Sequence, residues 1–155
     1  MSFSYCCVIT GPIGVGKTTL YNRVEQYLKN KYSNFVSIRE YLDDNEIHET
    51  SDKMLKQYLN NKVSDSVFQN YIQQYYIKKL SVNLVDKIVL MERSVSDSIA
   101  IFSNLANKKG KLNNIDLAIM YDNCINVDKI RQTPNYFINN FELTLIRSEE
   151  HTSEL

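Results

Sequence analysis

A glycine-rich segment near the N-terminus has the residue types and spacing of a phosphate-binding loop. Residues 11–18 fit the pattern GxxxxGK[ST], and the loop comprises Gly11, Pro12, Ile13, Gly14, Val15, Gly16, Lys17, Thr18 and the adjoining Thr19. Glycines let backbone N–H groups converge on phosphate oxygens, while the lysine can reach the β- and γ-phosphates and the threonine hydroxyl can ligate Mg²⁺. A fortuitous glycine turn is the alternative. An apolar run before the segment and a helical pattern after it favour the phosphate-binding loop, with Lys17 exposed in a crevice.

Two acidic positions and an arginine follow apolar runs that are typical of buried strands. Glu92 and Arg93 end one such run, and Glu40 lies two residues beyond another. Because the carboxyl ends of parallel strands meet at one edge of a sheet, we expect these side chains near Lys17. A carboxylate such as Glu92 can hold Mg²⁺, and an arginine can stabilise charge on a transferring phosphoryl group. The alternatives are a surface Glu92–Arg93 pair at the start of the next helix and a solvated Glu40.

Apolar runs alternate with helical periodicity along the chain. Short runs predict four buried strands, at residues 5–10, 35–38, 88–91 and 136–138. A helix is expected from about Lys17 to Lys31, and apolar residues spaced by three and four predict helices over 67–80 and 115–127. Strands separated by helices imply crossover connections. The sequence therefore predicts an α/β fold, with a parallel sheet flanked by helices.

Length, charge and cysteine content narrow the class of protein. The 155 residues suit one domain, and 43% hydrophobic with 23% charged residues is ordinary for a soluble globular protein. The 18 basic and 18 acidic side chains cancel, which argues against a nucleic acid polymer as partner, and no stretch approaches a membrane span. The three cysteines form no CxxC pair, so we expect a reducing, cytoplasmic location without a disulfide framework or zinc site.

The C-terminal segment, Arg147 to Leu155, has no apolar periodicity. It is also the translation of AGATCGGAAGAGCACACGTCTGAACTC, a common sequencing-library adapter. Consecutive matches along the whole segment make chance a poor explanation, and such added segments do not belong in fold reasoning. We therefore expect residues 1–146 to form a C-terminally truncated, incomplete domain and residues 147–155 to be a non-native tail. A natural polar tail is the alternative.

Taken together, these motifs resemble the deoxynucleoside kinases. The resemblance spans Tyr5 to about Ile138, and it rests on the decapeptide GPIGVGKTTL, Phe68-Gln69, Glu92-Arg93-Ser94 and Ile101-Phe102. It implies a P-loop kinase-type parallel sheet flanked by helices, and ATP-dependent phosphorylation of the 5′-hydroxyl of a deoxyribonucleoside, as in nucleotide salvage. The implied catalytic residues are Lys17, Glu40 and Arg93, and the implied Mg²⁺ ligands are Thr18 and Glu92. The resemblance also implies a homodimer in the full-length form.

The resemblance assigns roles to individual positions. Glu40 matches the catalytic base that accepts the proton of the 5′-hydroxyl. Gln69 matches the glutamine that hydrogen-bonds the nucleobase, and Gln73, one helical turn on, is a further candidate. Tyr58 matches a tyrosine that contacts the sugar 3′-hydroxyl, and Phe102 matches an aromatic that packs against the base. For both aromatics an ordinary core role is the alternative, since the chain has 11 tyrosines.

The chain departs from the family pattern in three places. Tyr41-Leu42 follows Glu40 where the family usually has Pro-Val. The arginine expected seven residues after the base-binding glutamine is Tyr76, and its aspartate partner is replaced by Ser98. Because a buried charge without its partner is costly, joint loss of both is physically consistent and should alter base preference. A short polar segment and the tail stand where the family has an arginine-bearing lid.

Two other functions stay open from the sequence. A nucleoside monophosphate kinase of the thymidylate type shares the phosphate-binding loop and the sheet. Such an enzyme needs a further basic group for the substrate phosphate, and it usually has Asp-Arg where this chain has Glu92-Arg93-Ser94. An inactive nucleotide-binding fragment is the other alternative, and ATP binding without turnover would identify it.

Overall fold

Four parallel strands form a single sheet. The structure is a computed structural model that describes residues 4–11, 15–82, 84–131 and 138–144. The strands lie in the spatial order β2-β3-β1-β4, and their bounds are Ser4–Thr10 for β1, Phe35–Ile38 for β2, Ile88–Glu92 for β3 and Ile138–Thr144 for β4. Helices separate successive strands along the chain. The predicted α/β class with a parallel sheet is confirmed.

Three of the helices lie where the periodicity predicted them. The bounds of the helices are Lys17–Lys31 for α1, His48–Leu59 for α2, Asp65–Leu80 for α3, Val95–Asp97 for α4, Asn104–Lys108 for α5 and Asn114–Arg131 for α6, and a π-helix covers Ser98–Ser103. The three predicted helices are α1, α3 and α6, and the others were not predicted. The Ser64 hydroxyl caps α3 by accepting a hydrogen bond from the Val67 N–H at 3.2 Å. In the part of the chain that the structure describes, no helix has the length and apolar character needed to cross a bilayer.

The fourth strand differs from its predicted position. It begins at Ile138 and continues to Thr144, whereas we expected a strand at 136–138 followed by a polar segment. Residues 136 and 137 lie outside the described residues, as do the boundary at 146 and the predicted tail. Asn139 and Asn140 have low strand propensity, which explains why the pattern did not predict β4. Pairing along the whole of β1, from Ser4–Ile138 to Thr10–Thr144, overrides that propensity.

The sheet is covered on both faces, which explains the continuous apolar runs. Leu90 in β3 packs with Ile9 and Tyr21 on the face covered by α1. Its neighbours Val89 and Met91 point to the other face and join the core beneath α3, because successive strand residues alternate. Burying each such side chain contributes about 1.5–3 kcal/mol.

Candidate active site

The carboxyl ends of three strands bring the acidic candidates to one edge of the sheet. Ile9 in β1 pairs with Glu92 in β3, and Ile38 in β2 pairs with Met91. Glu40, two residues after Ile38, therefore lies just beyond Glu92 in the direction of the strands. The Glu40 backbone N–H donates to Glu92 Oε1 at 3.0 Å, so the two residues are joined directly. The predicted convergence of Glu40, Glu92 and Lys17 is what the structure shows.

Lys17 lies between the two carboxylates. Its Nζ is 3.4 Å from Glu40 Oε2 and 3.3 Å from Glu92 Oε2, and its side chain is only 7% exposed. The expectation that Lys17 is exposed in the crevice was therefore wrong. The two carboxylates replace water around the ammonium group and compensate its charge, which makes burial tolerable.

Part of the phosphate-binding loop is described, and its geometry fits the motif. Gly16 precedes α1 with a φ of 96°, a left-handed backbone conformation that glycine adopts without strain. Open space surrounds the position of a Cβ there, so the backbone angle alone requires glycine. The N-terminus of α1 follows at once, and its N–H groups and dipole favour anions. Pro12, Ile13 and Gly14 lie outside the described residues.

Arg93 turns the chain sharply at the end of β3. Its φ is 62°, which is unusual for a residue with a side chain, and its N–H donates to the Ile9 carbonyl at 3.0 Å. Ser94 then caps α4: its hydroxyl accepts from the Asp97 N–H at 3.3 Å, and the Asp97 carboxylate accepts from the Ser94 N–H at 3.1 Å. Glu92 and Arg93 are both buried, so they do not form a surface pair.

The Arg93 guanidinium connects the acidic cluster to an aromatic ring. Its Nε lies 2.7 Å from Glu40 Oε1, and since the N–H does not point along this line the contact is an ion pair rather than a hydrogen bond. The guanidinium carbon lies 5.1 Å from the centre of the Phe102 ring, within range of a cation–π interaction. Lys17, at the start of α1, and Arg93, at the end of β3, thus each contact a different oxygen of Glu40.

Asp43 belongs to the cluster, although the sequence analysis did not select it. It follows Glu40 in a turn in which the Asp43 N–H donates to the Glu40 carbonyl at 2.9 Å. Burial, a hydrogen bond to Glu92 and the nearby negative charges raise the pKa of Asp43 to about 6. Burial also raises the pKa of Glu92, but hydrogen bonds from Asp43, the Glu40 N–H and Lys17 outweigh it and lower that pKa. The sequence signal that could have identified Asp43 is its position as a second acidic residue three residues after Glu40.

These side chains fit a divalent cation. Glu40, Asp43 and Glu92 each place a carboxylate oxygen within 4.8 Å of the others. The Thr18 hydroxyl lies 3.4 Å from Glu92 Oε2 and adds a fourth oxygen. Mg²⁺ prefers oxygen ligands, one or two of them carboxylates, so the donor set suits it. The predicted ligands Thr18 and Glu92 are adjacent.

A cavity of about 570 Å³ adjoins this cluster. Residues of the phosphate-binding loop line one part of it, and apolar and aromatic side chains line another. The lining comprises Gly16, Lys17, Thr18, Thr19, Glu40, Tyr41, Leu42, Phe68, Gln69, Ile72, Tyr76, Arg93, Ser94, Ser98 and Phe102. Gln69 and Phe102, which the sequence analysis predicted as substrate contacts, therefore line this cavity, and so do the replaced positions Tyr76 and Ser98.

Two predicted substrate residues lie elsewhere. Gln73 is buried against α6, where its amide donates to the Met120 carbonyl at 2.8 Å and accepts from Asn123 at 3.2 Å. Tyr58 stacks on Phe68 with ring centres 4.2 Å apart, and its hydroxyl donates to Asp65 at 3.2 Å. Both lie outside the cavity lining as the described residues define it. Their contacts are those of packing residues.

Comparisons with known proteins agree with this geometry. Residues 7–139 match the profile of the family described as deoxynucleoside kinase. The chain belongs to the deoxynucleoside kinase family. The matched range includes the phosphate-binding loop, Glu40, Gln69 and residues 92–94, as the resemblance required. Membership in the deoxynucleoside kinase family makes the chain a kinase-type phosphotransferase acting on nucleosides or nucleotides.

Among solved structures, the fold is similar to that of a thymidylate kinase from Ehrlichia chaffeensis. The identity is 17%, the TM-score is 0.50, and the match covers 91% of this chain and 90% of the other. At this identity the likeness concerns the fold alone. No curated protein sequence matches the chain significantly.

Proposed function

We propose that this chain transfers the γ-phosphoryl group of ATP to the 5′-hydroxyl of a deoxyribonucleoside. The observation that carries the proposal is the composition of a single cavity. Its lining combines Lys17 and Thr18 of the phosphate-binding loop with Gln69 and aromatic side chains suited to a nucleobase. Glu40 and Arg93 complete the lining. A phosphate donor and a flat acceptor can therefore meet in one enclosed space.

Glu40 is the proposed general base. Lys17 and Arg93 each contact one of its oxygens, at 3.4 and 2.7 Å, and so fix the direction of the carboxylate. In the reaction the 5′-oxygen bonds to the γ-phosphorus, its proton passes to Glu40, and the bond to the β,γ-bridging oxygen breaks to release ADP. General bases typically contribute about 10²–10⁴-fold. Lys17 and Arg93 are the groups that offset charge on the phosphoryl oxygens.

Thr18 and Glu92, with Asp43 beside them, would hold Mg²⁺. When bound, Mg²⁺ supplies charge neutralisation on the phosphates. Asp43 is close enough to Glu92 for both carboxylates to reach one ion, since an oxygen of each lies within 4.8 Å of the other.

The cavity favours a nucleoside over a nucleoside monophosphate. A monophosphate acceptor brings two further negative charges, which need a basic partner of their own. Within the described part of the lining the cationic side chains are Lys17 and Arg93, and both contact Glu40. The thymidylate-type alternative therefore has less support from this lining.

A direct assay tests the proposal. The purified chain is incubated with ATP, Mg²⁺ and each of the four deoxynucleosides or thymidylate, and products are separated by chromatography. We expect a deoxynucleoside monophosphate from at least one nucleoside and no diphosphate from thymidylate. Diphosphate from thymidylate alone would support the monophosphate kinase instead. ATP binding without any product would identify an inactive fragment.

A homodimer and a cytoplasmic location are part of the same proposal. The exposed side of α6 carries Ile115, Ile119 and Ile125, an apolar surface compatible with association. Light scattering across a range of protein concentrations measures the oligomeric state. A monomer at every concentration would contradict the dimer without affecting the proposed reaction.

A further inference from the structure

Arg39, the residue before Glu40, is held by side chains of α1. Its Nη2 donates to Glu25 Oε1 at 2.7 Å and to Asn22 Oδ1 at 2.6 Å, and its Nε donates to Glu25 Oε2 at 3.3 Å. A guanidinium that meets both oxygens of one carboxylate has little freedom to rotate, because two parallel hydrogen bonds fix its plane. The orientation of Arg39 relative to α1 is therefore well defined.

Tyr21 provides a further contact from the same helix. The Arg39 guanidinium carbon lies 4.9 Å from the centre of the Tyr21 ring, within range of a cation–π interaction. Tyr21 is fully buried, and its hydroxyl donates to the Leu90 carbonyl of β3 at 3.0 Å. Because the ring is fixed to the centre of the sheet, it gives the guanidinium a rigid surface to lie on.

The peptide bond that joins Arg39 to Glu40 is anchored at both of its polar atoms. The Arg39 carbonyl accepts a hydrogen bond from the Tyr75 hydroxyl at 2.6 Å. The Glu40 N–H donates to Glu92 Oε1 at 3.0 Å. This one peptide is therefore held at its oxygen by α3 and at its nitrogen by β3, while the Arg39 side chain connects it to α1.

The helix that holds Arg39 is also the one that would bind phosphate in the proposed reaction. α1 begins at Lys17, and Glu25 lies eight residues further on, about 12 Å along the helix axis. The distance between the phosphate-binding end and the contact with Arg39 is thus fixed by helical geometry. A general base must lie within hydrogen-bond reach of the hydroxyl, and small misplacements lower the rate steeply.

An ordinary stabilising ion pair is the alternative for Arg39 and Glu25. Both side chains are 24% exposed. Partly exposed ion pairs contribute little to stability, because solvent screens them and ordering two long side chains costs entropy. Stability is therefore a weak reason for so many directional contacts at one residue, and the orientation of the residue that follows it is a stronger one.

We propose that Arg39 is a positioning residue, which binds α1 and thereby sets the distance of the Glu40 carboxylate from the phosphate-binding end of that helix. Arg39 is not part of the described cavity lining, so it acts through Glu40 rather than on the substrate. It holds the peptide bond before the base, whereas Lys17 and Arg93 contact the carboxylate itself. This inference rests on the proposed function, in which Glu40 accepts the proton.

Arg39→Met tests the inference. Methionine keeps an unbranched stem that can pack on the Tyr21 ring, but it donates no hydrogen bonds. Misplacing the base should lower kcat about ten- to a hundredfold, whereas the KM values for ATP and the nucleoside should stay within twofold. Because the lost ion pair is partly exposed, the melting temperature should fall by about 4 °C or less. In a Glu40→Gln background the same change should leave kcat within twofold, since the base through which Arg39 acts is already absent.

Arg23→Met is the matched control. Arg23 is an exposed arginine on α1, so its replacement should leave kcat and both KM values at the parental level. Parental kcat in Arg39→Met, in a parent that phosphorylates deoxynucleosides, overturns the inference and leaves the proposed function standing. An equal loss of kcat in the Glu40→Gln background, or a larger fall in melting temperature, shows a structural arginine and also overturns it. A parent that phosphorylates no deoxynucleoside overturns both proposals.

Discussion

The carboxyl group of Asp43 lies beside the carboxylate of Glu92, with an oxygen of each within 4.8 Å of the other, so that Asp43 can donate a hydrogen bond to Glu92 when it is protonated. Asp43 lies in the turn after β2, and Glu92 is fully buried at the end of β3. Because the two sites interact strongly, they titrate as a pair. The arrangement keeps a second acid beside the proposed Mg²⁺ ligands and ties the turn that bears Glu40 to the sheet.

The first prediction concerns the pH dependence of stability. The pKa of Asp43 is about 6 in the folded chain, against about 3.9 when unfolded. A raised pKa means that protonated Asp43 contributes stability fully below about pH 4 and loses it as the pH rises through about 6. Asp43→Asn should therefore flatten the fall in unfolding free energy across this window, measured by urea denaturation without divalent cations.

Asp122→Asn is the control for that measurement. Asp122 is an exposed acid on α6, so its removal should leave the pH profile of the parent unchanged. Equal profiles for Asp43→Asn and the parent would show that protonated Asp43 does not donate a hydrogen bond to Glu92.

The second prediction concerns Lys17. Lys17→Ala should abolish phosphoryl transfer, and because it leaves Glu92 buried without its cation it should also destabilise the fold by about 1–3 kcal/mol. Adding Glu92→Gln should restore much of that stability without restoring activity, since it removes the uncompensated charge. Thermal unfolding and a kinase assay on both variants measure the two effects. Full activity in Lys17→Ala would refute the phosphate-binding assignment.

The third prediction concerns Glu40. Glu40→Gln keeps the shape and hydrogen-bonding capacity of the side chain but removes the proton acceptor. We expect kcat to fall about 10²–10⁴-fold, with nucleoside binding retained. Single-turnover kinetics and calorimetry separate these quantities. A variant within twofold of the parent would mean that another group accepts the proton.

The fourth prediction concerns Asp44, which fixes the turn carrying Glu40. Its Oδ2 accepts from Tyr75 at 3.0 Å and pairs with Lys79 at 2.8 Å, and its N–H donates to the Glu40 carbonyl at 3.1 Å. Asp44→Ala should cost about 1 kcal/mol of stability and lower kcat more than it raises KM. Asp44→Asn keeps an oxygen acceptor and should recover part of the loss.

Glu46→Ala provides the comparison for Asp44. Glu46 is exposed, and its carboxylate lies 3.9 Å from the ammonium group of the same lysine, a weaker contact, so its removal should change neither kcat nor stability appreciably. If both variants behave alike, then Asp44 does not position Glu40.

Apolar periodicity and turn residues predicted much of this fold, because the residues with that periodicity are the ones buried when the helices and strands pack. The bounds of α1 were predicted correctly, since the glycine turn marks its start and its periodicity continues to Lys31. β4 was misplaced, because Asn139 and Asn140 carry no strand signal and the pairing with β1 is long-range. A sequence pattern indicates which residues favour a strand. It does not indicate which segment of low strand propensity will pair with the free edge of a sheet.

Residues of the candidate site could be predicted from the sequence only where they follow a predicted strand. Glu40, Glu92 and Arg93 follow apolar runs, so their convergence could be expected. The burial of Lys17 depends on carboxylates 23 and 75 positions away, which no local pattern encodes. Gln73 shares a helix with Gln69, yet packing against Met120 turns it toward α6. Helical spacing alone cannot distinguish a residue beside a cavity from one beside another helix.

The left-handed backbone of Arg93 has a consequence for protein engineering. A side chain in that conformation costs about 1 kcal/mol or more, whereas glycine adopts it freely. Arg93→Gly would release that strain, but it would also leave Glu40 without one of its two cationic partners and remove the contact with the Phe102 ring. Because losing one partner of a buried ion pair is itself destabilising, the glycine variant should gain no thermal stability. Position 93 is therefore one where relieving an unusual backbone angle does not make a protein more heat-resistant.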